Sequence, residues 1–389
     1  MDFEFNNEQR DIQKAVREFA EAEMSREYML ELDRTSTYPA DLLKKACDLG
    51  FLCIDIPEKY GGVGYGLTEK AIVFEELCRM GAGVGMSLGG SCFGLKVLLN
   101  SGTEEQKNRI LPRACSGEGL PFSGAFTEPD KGTDIVTFPL GTTAVRKGGK
   151  YIINGTKTFI THADISKYVI LLCQTDTNAK PSYKGQTTFI LENPLDKPGY
   201  TVSSFEKMGW QTSHTTQISF SDFELPAENI VGKENQGFYN VMSFLTEFRI
   251  ETAAAGVGMA QGVYEKAVNY AKTREAFGQK IGKFQSISHK IADMATKIET
   301  ARLLLYKAAA IFDTKHDVPP HISSMAKWYG ARMAVEVADD AMEIFGGHGY
   351  IIENDVARFY RDTRMLELVE GTREAQKNTI AASILGRLD

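Results

Sequence analysis

One long segment without proline most constrains how this chain can fold. From about Gly237 to Thr273 no proline interrupts the sequence, and small and apolar residues repeat at helical spacing. A helix of that length needs partners to cover its apolar face. Three further helical segments follow, at about 285 to 315, 321 to 345 and 371 to 386. The C-terminal region is therefore predicted to be a four-helix bundle.

The N-terminal region also has helical patterns. Asn6 or Asn7 can cap a first helix, because apolar residues recur behind them at helical spacing. Further helical stretches lie around 39 to 50, 67 to 80 and 103 to 116, and they are separated by the segments KYGGVGYG and RMGAGVG, which are predicted to be glycine-rich turns.

The character of the sequence changes near residue 117, where β-rich runs begin. Within YIINGTKTFIT, Asn154 and Gly155 lie between two such runs and predict a β-hairpin turn. We therefore expect an α+β protein with three domains: an N-terminal all-α domain (1–116), a middle β-barrel or sandwich domain (117–231) and a C-terminal helical bundle domain (232–389).

Composition narrows the class of protein. With 43% hydrophobic and 24% charged residues among 389, the chain has the balance of an ordinary soluble globular protein. Its net charge of -7 and pI near 5.6 argue against nucleic acid as a main partner. No window suggests a membrane span and the acidic N-terminus suggests no leader, so we expect a cytoplasmic protein without a membrane partner. Six scattered cysteines predict buried thiols and no metal site.

Two loops could serve either as plain turns or as binding sites. In GAFTEPDKGTD (124 to 134), Thr127, Gly132 and Thr133 offer hydroxyl and backbone N–H groups to a polar ring or a phosphate. In EIFGGHGY (343 to 350), three glycines either cap a helix or allow a pyrophosphate to approach the backbone.

A third motif, LELVEGTREAQ (366 to 376), contains a carboxylate directly before a helix-capping pair. Glu370 precedes Gly371 and Thr372. It could be a solvated loop residue, or a base held against an apolar pocket.

Taken in order, these motifs resemble the FAD-dependent acyl-CoA dehydrogenases over essentially the whole chain. The resemblance rests on AFTEPDKGTD, TREAFGQKIGKFQ (273 to 285), EIFGGHGYIIENDVARFYRD (343 to 362) and VEGT (369 to 372). It implies that Glu370 is the base that takes the α-proton of an acyl-CoA thioester, while FAD N5 takes the β-hydride and the 2-enoyl-CoA forms. Some members of the family carry the base at the position of Phe248, which cannot take a proton.

The resemblance also implies the binding residues. Arg249, Gly371 and Val369 would contact the substrate. The FAD would be bound by Phe126, Thr127, Thr133, Phe159, Thr161, Arg274, Phe277, Gln285, Glu343, Gly346, Gly347, Thr372 and Glu374. Arg274, Phe277 and Gln285 would reach the FAD of a neighbouring subunit, which implies a homotetramer built as a dimer of dimers. An electron-transfer flavoprotein would accept the electrons.

The substrate is predicted from two features. Val369 stands where many members of the family carry Tyr, and the segment AGVGMSLGGSCFG (82 to 94), which would line the acyl pocket, contains no Arg or Lys. A buried distal carboxylate would lack a counter-ion there, so a short, branched or alicyclic acyl group is expected and a dicarboxylic one is not. Glycines at both ends of the segment leave a long acyl chain as an alternative. Alternatives are an acyl-CoA oxidase, an enoyl-CoA reductase, or a flavin-containing binding protein without turnover; Glu370 and the acidic pI argue against the last.

Overall fold

The computed structural model describes residues 4–386 of the chain. The N-terminal region is helical, with α1 (Asn7–Glu23), α2 (Arg26–Thr35), α3 (Ala40–Asp48), α4 (Leu67–Met80), α5 (Ala82–Gly90), α6 (Leu95–Ser101) and α7 (Glu104–Cys115). Asn6 caps α1, because its side chain accepts from the backbone N–H of Gln9 while the Gln9 side chain accepts from the N–H of Asn6. The helices predicted from the sequence correspond to α1, α3, α4 and α7.

The prediction of a glycine-rich turn at RMGAGVG was wrong, because α5 begins there. Its glycines allow α5 to pack closely against α4. A Cβ at Gly85 would lie 2.8 Å from the Cα of Cys78, and one at Gly89 would meet the ring of Phe74. The same residues that favour a turn in isolation therefore allow two helices to approach each other.

The expectation that no window suggests a membrane span was also wrong. Ala82–Ser101 has 20 residues with a mean hydropathy of 1.4, which is long and apolar enough by length and composition. However, 78% of this window is buried inside the fold, as is typical of a core helix in a soluble protein. The stretch also comprises two helices, α5 and α6, separated by a turn.

The middle region forms an eight-stranded sheet. Its strands are β1 (Phe122–Ala125), β2 (Thr143–Lys147), β3 (Lys150–Thr161), β4 (Tyr168–Gln174), β5 (Gln186–Glu192), β6 (Tyr200–Ser204), β7 (Thr215–Pro226) and β8 (Ile230–Val231). The strand order is β6-β7-β3-β2-β4-β5-β8, and β1 pairs in parallel with β4. Alternating side chains such as Tyr151, Ile153, Phe223 and Leu225 form the core of this region.

The predicted hairpin turn at Asn154 and Gly155 was wrong, because β3 continues through both residues. The register with β7 shifts at this point, which is the signature of a β-bulge. Gly155 has φ +137°, and a Cβ on it would lie 2.5 Å from the Cα of Thr142. The close approach explains the glycine. The hairpin turn lies instead at Gly148 and Gly149, between β2 and β3.

The C-terminal region is the predicted bundle. It contains α8 (Gly237–Thr273), a short hairpin of β9 (Glu275–Ala276) and β10 (Gln279–Lys280), and then α9 (Gln285–Lys315), α10 (Pro320–Phe345), α11 (Asp355–Thr363) and α12 (Arg373–Leu385). Helix α10 packs against α8, α9 and α12. The crossing of α8 and α10 is close, since a Cβ on Gly256 would lie 2.8 Å from the carbonyl oxygen of Gly330.

The six cysteines are all buried and free, as the sequence analysis predicted; they are Cys47, Cys53, Cys78, Cys92, Cys115 and Cys173.

Candidate active site

Glu370 lies in a short turn between a 3-10 helix (Arg364–Glu367) and α12. Its φ is +56° and that of Gly371 is +89°, so two successive residues adopt left-handed backbone conformations. For a non-glycine residue this conformation costs energy and persists only where its surroundings fix it. Thr372 then caps α12, accepting from the N–H of Ala375 at 3.3 Å. The turn therefore holds the Glu370 side chain in one defined place.

Two buried side chains hold the carbonyl groups of this turn. Gln376 Nε2 donates to the carbonyl of Glu370 at 2.8 Å and to that of Gly371 at 3.1 Å. Lys327 Nζ, from α10, donates to the Gly371 carbonyl at 2.8 Å. A Cβ on Gly371 would lie 2.6 Å from Gln376 Nε2, so the site requires glycine. Neither donor was identified from the sequence. Lys327 could have been recognised as a buried residue, because it lies among the small residues that form the buried face of α10.

The carboxylate of Glu370 is partly withdrawn from solvent and lies near charged side chains. The residue as a whole is half-buried, but its Oε2 is buried and has no hydrogen-bond partner within residues 4–386. Burial raises the pKa of Glu370 to about 7, although the cations Lys327 and Arg249 lower it; Glu251 raises it further. A carboxyl group with this pKa can take or release a proton near neutral pH, as a general acid or base must.

The two cations beside Glu370 are themselves buried. Burial lowers the pKa of Lys327 to about 8, although Glu370 opposes this effect. Burial also lowers the pKa of Arg249, whose Nε has no hydrogen-bond partner in the described part of the chain. Val369 and Gly371, which were predicted to contact the substrate, flank Glu370 and are half-buried in the same turn. The structure therefore brings Arg249, Val369, Glu370 and Gly371 together.

Four phenylalanine side chains lie together where the segment 82–94, the loop 124–134 and α8 meet. Phe93 is edge-on to Phe244 and to Phe248, with ring centroids 4.8 Å apart in both pairs. Phe126 belongs to the motif GAFTEPDKGTD (124 to 134), which we call the TEP loop, and its ring centroid lies 5.9 Å from that of Phe93. Edge-to-face contacts of this kind hold apolar rings in defined positions. We call these residues, Phe93, Phe126, Phe244 and Phe248, the phenylalanine cluster.

The TEP loop is attached to β3 by a buried ion pair that the sequence analysis missed. Lys157 Nζ lies 2.9 Å from Glu128 Oε1 and donates to the carbonyl of Phe126 at 2.9 Å. Glu128 also accepts from the backbone of Thr142 at 2.8 Å. The N–H of Thr158 donates to the carbonyl of Thr127 at 3.0 Å. Alternation along β3 marks Lys157 as a possible inward residue, but only the fold supplies its partner.

Phe159 and Thr161 lie on β3, directly after this ion pair. Phe159 has φ +59°, and its side chain is 63% exposed, which is unusual for a large apolar ring. Its ring lies 5.7 Å from that of Phe205. The carbonyl of Thr161 accepts from Ser123 Oγ at 2.5 Å. The predicted flavin residues of the TEP loop and β3 therefore lie in neighbouring segments, with Thr133 exposed at the far side of the loop.

The predicted FAD residues of the bundle lie elsewhere. Arg274 follows α8, and the residues exposed with it at the same end of the bundle are Phe277, Gln285, Glu343, Gly346 and Gly347. The 25 residues of α8 between Arg249 and Arg274 span about 37 Å of helix. This end of the bundle is therefore far from Glu370 of the same chain. Of the two FAD residues predicted near the base, Thr372 caps α12 and Glu374 is exposed and paired with Arg373.

The fold agrees with the comparisons to known proteins. Family models for the N-terminal, middle and C-terminal domains of acyl-CoA dehydrogenases match residues 6–118, 123–223 and 235–385. The chain belongs to the acyl-CoA dehydrogenase family. It is thus an FAD-dependent oxidoreductase that acts on CH–CH groups.

Individual relatives match over nearly their whole length. The caffeyl-CoA reductase-Etf complex subunit CarC of Acetobacterium woodii is 37% identical over 98% of this chain and 99% of its own. The short-chain specific acyl-CoA dehydrogenase of Clostridium acetobutylicum is 36% identical over 99% of this chain and 100% of its own. The structure of butyryl-CoA dehydrogenase from Megasphaera elsdenii superimposes with a TM-score of 0.93, at 34% identity, over 99% of this chain and 100% of that one.

The residues present fit an FAD. Phe159 offers an exposed aromatic ring beside the TEP loop, and Phe277 is 95% exposed at the tip of the β9–β10 hairpin. Gly132, Gly346 and Gly347 border open space, since a Cβ on any of them would meet no atom within 4 Å. Exposed rings and open backbone are suited to contact a flat ring system and a diphosphate.

Proposed function

We propose that this chain is an acyl-CoA dehydrogenase whose base is Glu370. The observation that carries the proposal is the Glu370 carboxyl group itself: it is fixed by a left-handed turn, its Oε2 is buried without a partner, and its pKa is raised by burial to about 7. In the proposed reaction Glu370 takes the α-proton of an acyl-CoA thioester. FAD, when bound, supplies the acceptor for the β-hydride, and the product is the 2-enoyl-CoA.

The residues around Glu370 have supporting roles in this proposal. Arg249 and Lys327 favour the ionised form that accepts the proton, which limits how far burial can raise the pKa of Glu370. The backbone N–H of Glu370 is available to the thioester carbonyl, whose charge increases as the α-proton leaves. Val369 and Gly371 form the adjacent wall. The other predicted FAD residues, on the TEP loop, β3, α12 and the far end of the bundle, are proposed to hold the cofactor.

The acyl group is proposed to be short, branched or alicyclic. The phenylalanine cluster is apolar and its rings contact each other, which leaves little room for a long chain and no polar partner for a distal carboxylate. Two lysines, Lys70 and Lys96, are buried nearby, but carboxylates from the protein are already paired with both. A dicarboxylic acyl group would therefore find neither of these two lysines available as a counter-ion.

We propose that the protein acts as a homotetramer and passes electrons to an electron-transfer flavoprotein in the cytoplasm. The separation of Arg274 from Glu370 supports an oligomer, because a site that uses both residues needs two chains. The relative from Acetobacterium woodii is named as part of a complex with Etf. We also propose that residues 1–116, 117–231 and 232–389 are the three domains.

The reverse reaction is the second candidate. The same relative is named as a subunit of a reductase complex, and a carboxyl group with a pKa of about 7 can give a proton as readily as it takes one. An enoyl-CoA reductase would use protonated Glu370 as the acid. The choice between the two directions depends on which half-reaction is faster.

Glu370→Gln tests the proposal. The variant should bind FAD and acyl-CoA like the wild type, yet lose at least about a thousandfold in the rate of flavin reduction, because the amide cannot accept the α-proton. The measurement is anaerobic stopped-flow of the flavin absorbance with linear, branched, alicyclic and dicarboxylic acyl-CoAs. Mixing photoreduced protein with the corresponding 2-enoyl-CoAs measures the reverse direction.

Glu224→Gln is the matched control, because Glu224 is an exposed residue of β7 that pairs with Lys150 on the surface. It should reduce its flavin at the wild-type rate. Flavin reduction by Glu370→Gln at that same rate would show that another group is the base. Failure of the wild type with every acyl-CoA, in both directions, would refute the proposed activity.

A further inference from the structure

Gln376, in the first turn of α12, is a buried amide to which the proposed reaction assigns no role. Its side chain is 0% exposed and reaches back to the turn that carries Glu370. The backbone N–H of Gln376 donates to the carbonyl of Thr372 at 3.0 Å. The start of α12 therefore fixes the point from which the amide reaches the turn.

The amide of Gln376 has one orientation that its contacts allow. Nε2 lies 2.8 Å from the carbonyl oxygen of Glu370 and 3.1 Å from that of Gly371. Nε2 carries two N–H groups, so each carbonyl can accept one of them. The reversed amide would place Oε1 against two carbonyl oxygens. In the observed orientation Oε1 is buried and has no hydrogen-bond partner within residues 4–386, which offsets part of the stability that the two bonds provide.

The two carbonyl groups differ in how far they depend on Gln376. The Gly371 carbonyl also accepts from Lys327 Nζ at 2.8 Å, so it keeps a donor when Gln376 is replaced. For the Glu370 carbonyl, no second donor is found among the residues that the structure describes. The hydrogen bond that Gln376 alone supplies is therefore the one to the backbone of the proposed base.

This hydrogen bond acts on a strained part of the backbone. Glu370 has φ +56°, and a left-handed conformation of a residue other than glycine costs energy that the surroundings must offset. If Glu370 rotated out of this conformation, its carbonyl would turn relative to its own Cβ. The carbonyl could then not remain bonded to Gln376 unless the Glu370 side chain moved. The bond therefore opposes the rotation that would displace the carboxylate.

We propose that Gln376 is a positioning residue for Glu370: its hydrogen bond to the Glu370 carbonyl keeps the backbone of the base left-handed, and so keeps the carboxylate where it can take the α-proton. The inference rests on the proposed role of Glu370 as base. Proton transfer requires the two groups to lie within hydrogen-bond reach, so a carboxylate that samples two positions reacts from only one of them. Gln376 acts through the backbone of Glu370 and not on a reacting atom.

Gln376→Met tests this role, because it keeps the length of the side chain and removes both N–H groups. The Glu370 carbonyl loses its donor, whereas the Gly371 carbonyl keeps Lys327. In anaerobic stopped-flow, the limiting rate of flavin reduction at saturating acyl-CoA should fall at least about tenfold. The Kd of the acyl-CoA should stay within about threefold of the wild-type value. A tenfold loss corresponds to about 1.4 kcal/mol, the size expected for one such hydrogen bond or one left-handed residue.

Gln376→Asn is a second variant that breaks the same contact. Its side chain is one carbon shorter, so the amide withdraws by about 1.5 Å, beyond hydrogen-bond distance of both carbonyls. The limiting rate should fall as it does in Gln376→Met.

Thr379→Val is the matched control on the same helix. Thr379 Oγ1 donates to the carbonyl of Ala375 at 3.1 Å, so the variant loses a hydrogen bond of α12 but none to the turn. It should reduce its flavin at the wild-type rate. A purely structural role for Gln376 would lower the unfolding free energy and leave the limiting rate of the folded protein unchanged.

Infrared difference spectroscopy of the holoprotein, between about pH 5 and about pH 9, provides a readout without turnover. The protonated-carboxyl band that disappears in Glu370→Gln should be shifted and broader in Gln376→Met, because the carboxyl group no longer occupies one environment. Asp362 is an internal reference on α11: its Oδ1 accepts from the N–H of Trp210 at 2.7 Å, and its band should stay the same.

The outcomes separate this inference from the proposed function. An unchanged limiting rate in both Gln376 variants, an equal loss in Thr379→Val, or a loss confined to the Kd would overturn the positioning role and leave Glu370 as the base. If no acyl-CoA reduces the wild-type flavin, the proposed function fails, and the infrared band still decides the position of the carboxyl group. An unchanged Glu370 band in Gln376→Met would then overturn the positioning role as well.

Discussion

Replacing Lys327 by methionine separates the cost of burying its charge from the value of its hydrogen bond. Lys327 is fully buried, and burial lowers the pKa of its ammonium group from 10.5 to about 8. A difference of about 2.5 in pKa corresponds to about 3 kcal/mol. Because the folded pKa is lowered, the stability that this group contributes is complete above pH 10.5 and is lost as the pH falls from 10.5 to about 8. At pH 7 the folded protein therefore bears the full cost.

Lys327→Met removes that cost and also removes the donor to the Gly371 carbonyl. The lost hydrogen bond is worth about 1 kcal/mol, since Gln376 Nε2 still donates to the same oxygen. At pH 7 the variant should therefore be as stable as the wild type or more stable, by up to about 2 kcal/mol. At about pH 10.5, where the wild-type group is largely neutral, the variant should be less stable by about 1 kcal/mol.

The assay is urea unfolding of both proteins at several pH values, followed by tryptophan fluorescence. The quantity of interest is the difference in unfolding free energy between the variant and the wild type, because titrating groups that do not interact with Lys327 cancel in it. Lys14→Met, on the exposed face of α1, is the control and should change this difference little at any pH. A difference for Lys327→Met that stays constant from pH 7 to about pH 10.5 would refute the assigned cost of burying the ammonium group.

Two further variants test the cofactor loop and the acyl pocket. Lys157→Met leaves Glu128 buried without its ion-pair partner, so the variant should lose about 3 kcal/mol or more of unfolding free energy and should retain less FAD on gel filtration. Lys150→Met breaks an exposed ion pair and should lose less than about 1 kcal/mol of unfolding free energy. A Lys157→Met protein of wild-type stability would contradict the buried-pair argument. Phe93→Ala opens the phenylalanine cluster and should raise the rate of flavin reduction by octanoyl-CoA relative to butyryl-CoA about tenfold. An unchanged ratio would place the cluster outside the acyl pocket.

Much of the fold could be predicted because its signals are local. Helical spacing and the absence of proline were enough for α8, and caps and periodicity were enough for α1, α4 and α7. Glycine was the residue type that misled. Gly155 looked like a hairpin turn and Gly85 like a loop, but each is required by the close approach of a distant backbone, at Thr142 and at Cys78. Such contacts between distant segments have no local signature in the sequence.

The candidate active site, like the fold, could be predicted from the sequence only where its signals are local. The motif around Glu370 could be found from the sequence, and the structure brings it next to Arg249 on α8. The groups that hold or tune it could not be found, because a lysine in a helix is usually a solvated residue. Lys327 and Lys157 become recognisable only when the fold buries them beside their partners.

Buried ion pairs between the N-terminal region and α8 have a consequence for how the protein can be divided; they involve Asp55, Lys70, Lys96, Glu247 and Glu251. Sequence comparison separates an N-terminal from a C-terminal domain, yet Lys70 and Lys96 from the first form ion pairs with Glu251 and Glu247 from the second. A fragment made of residues 235–385 alone would expose a surface bearing both carboxylates without their counter-ions, next to a long apolar helix. The helix that carries Arg249 therefore depends for its charge balance on two lysines of the N-terminal region, which sequence comparison assigns to a different domain.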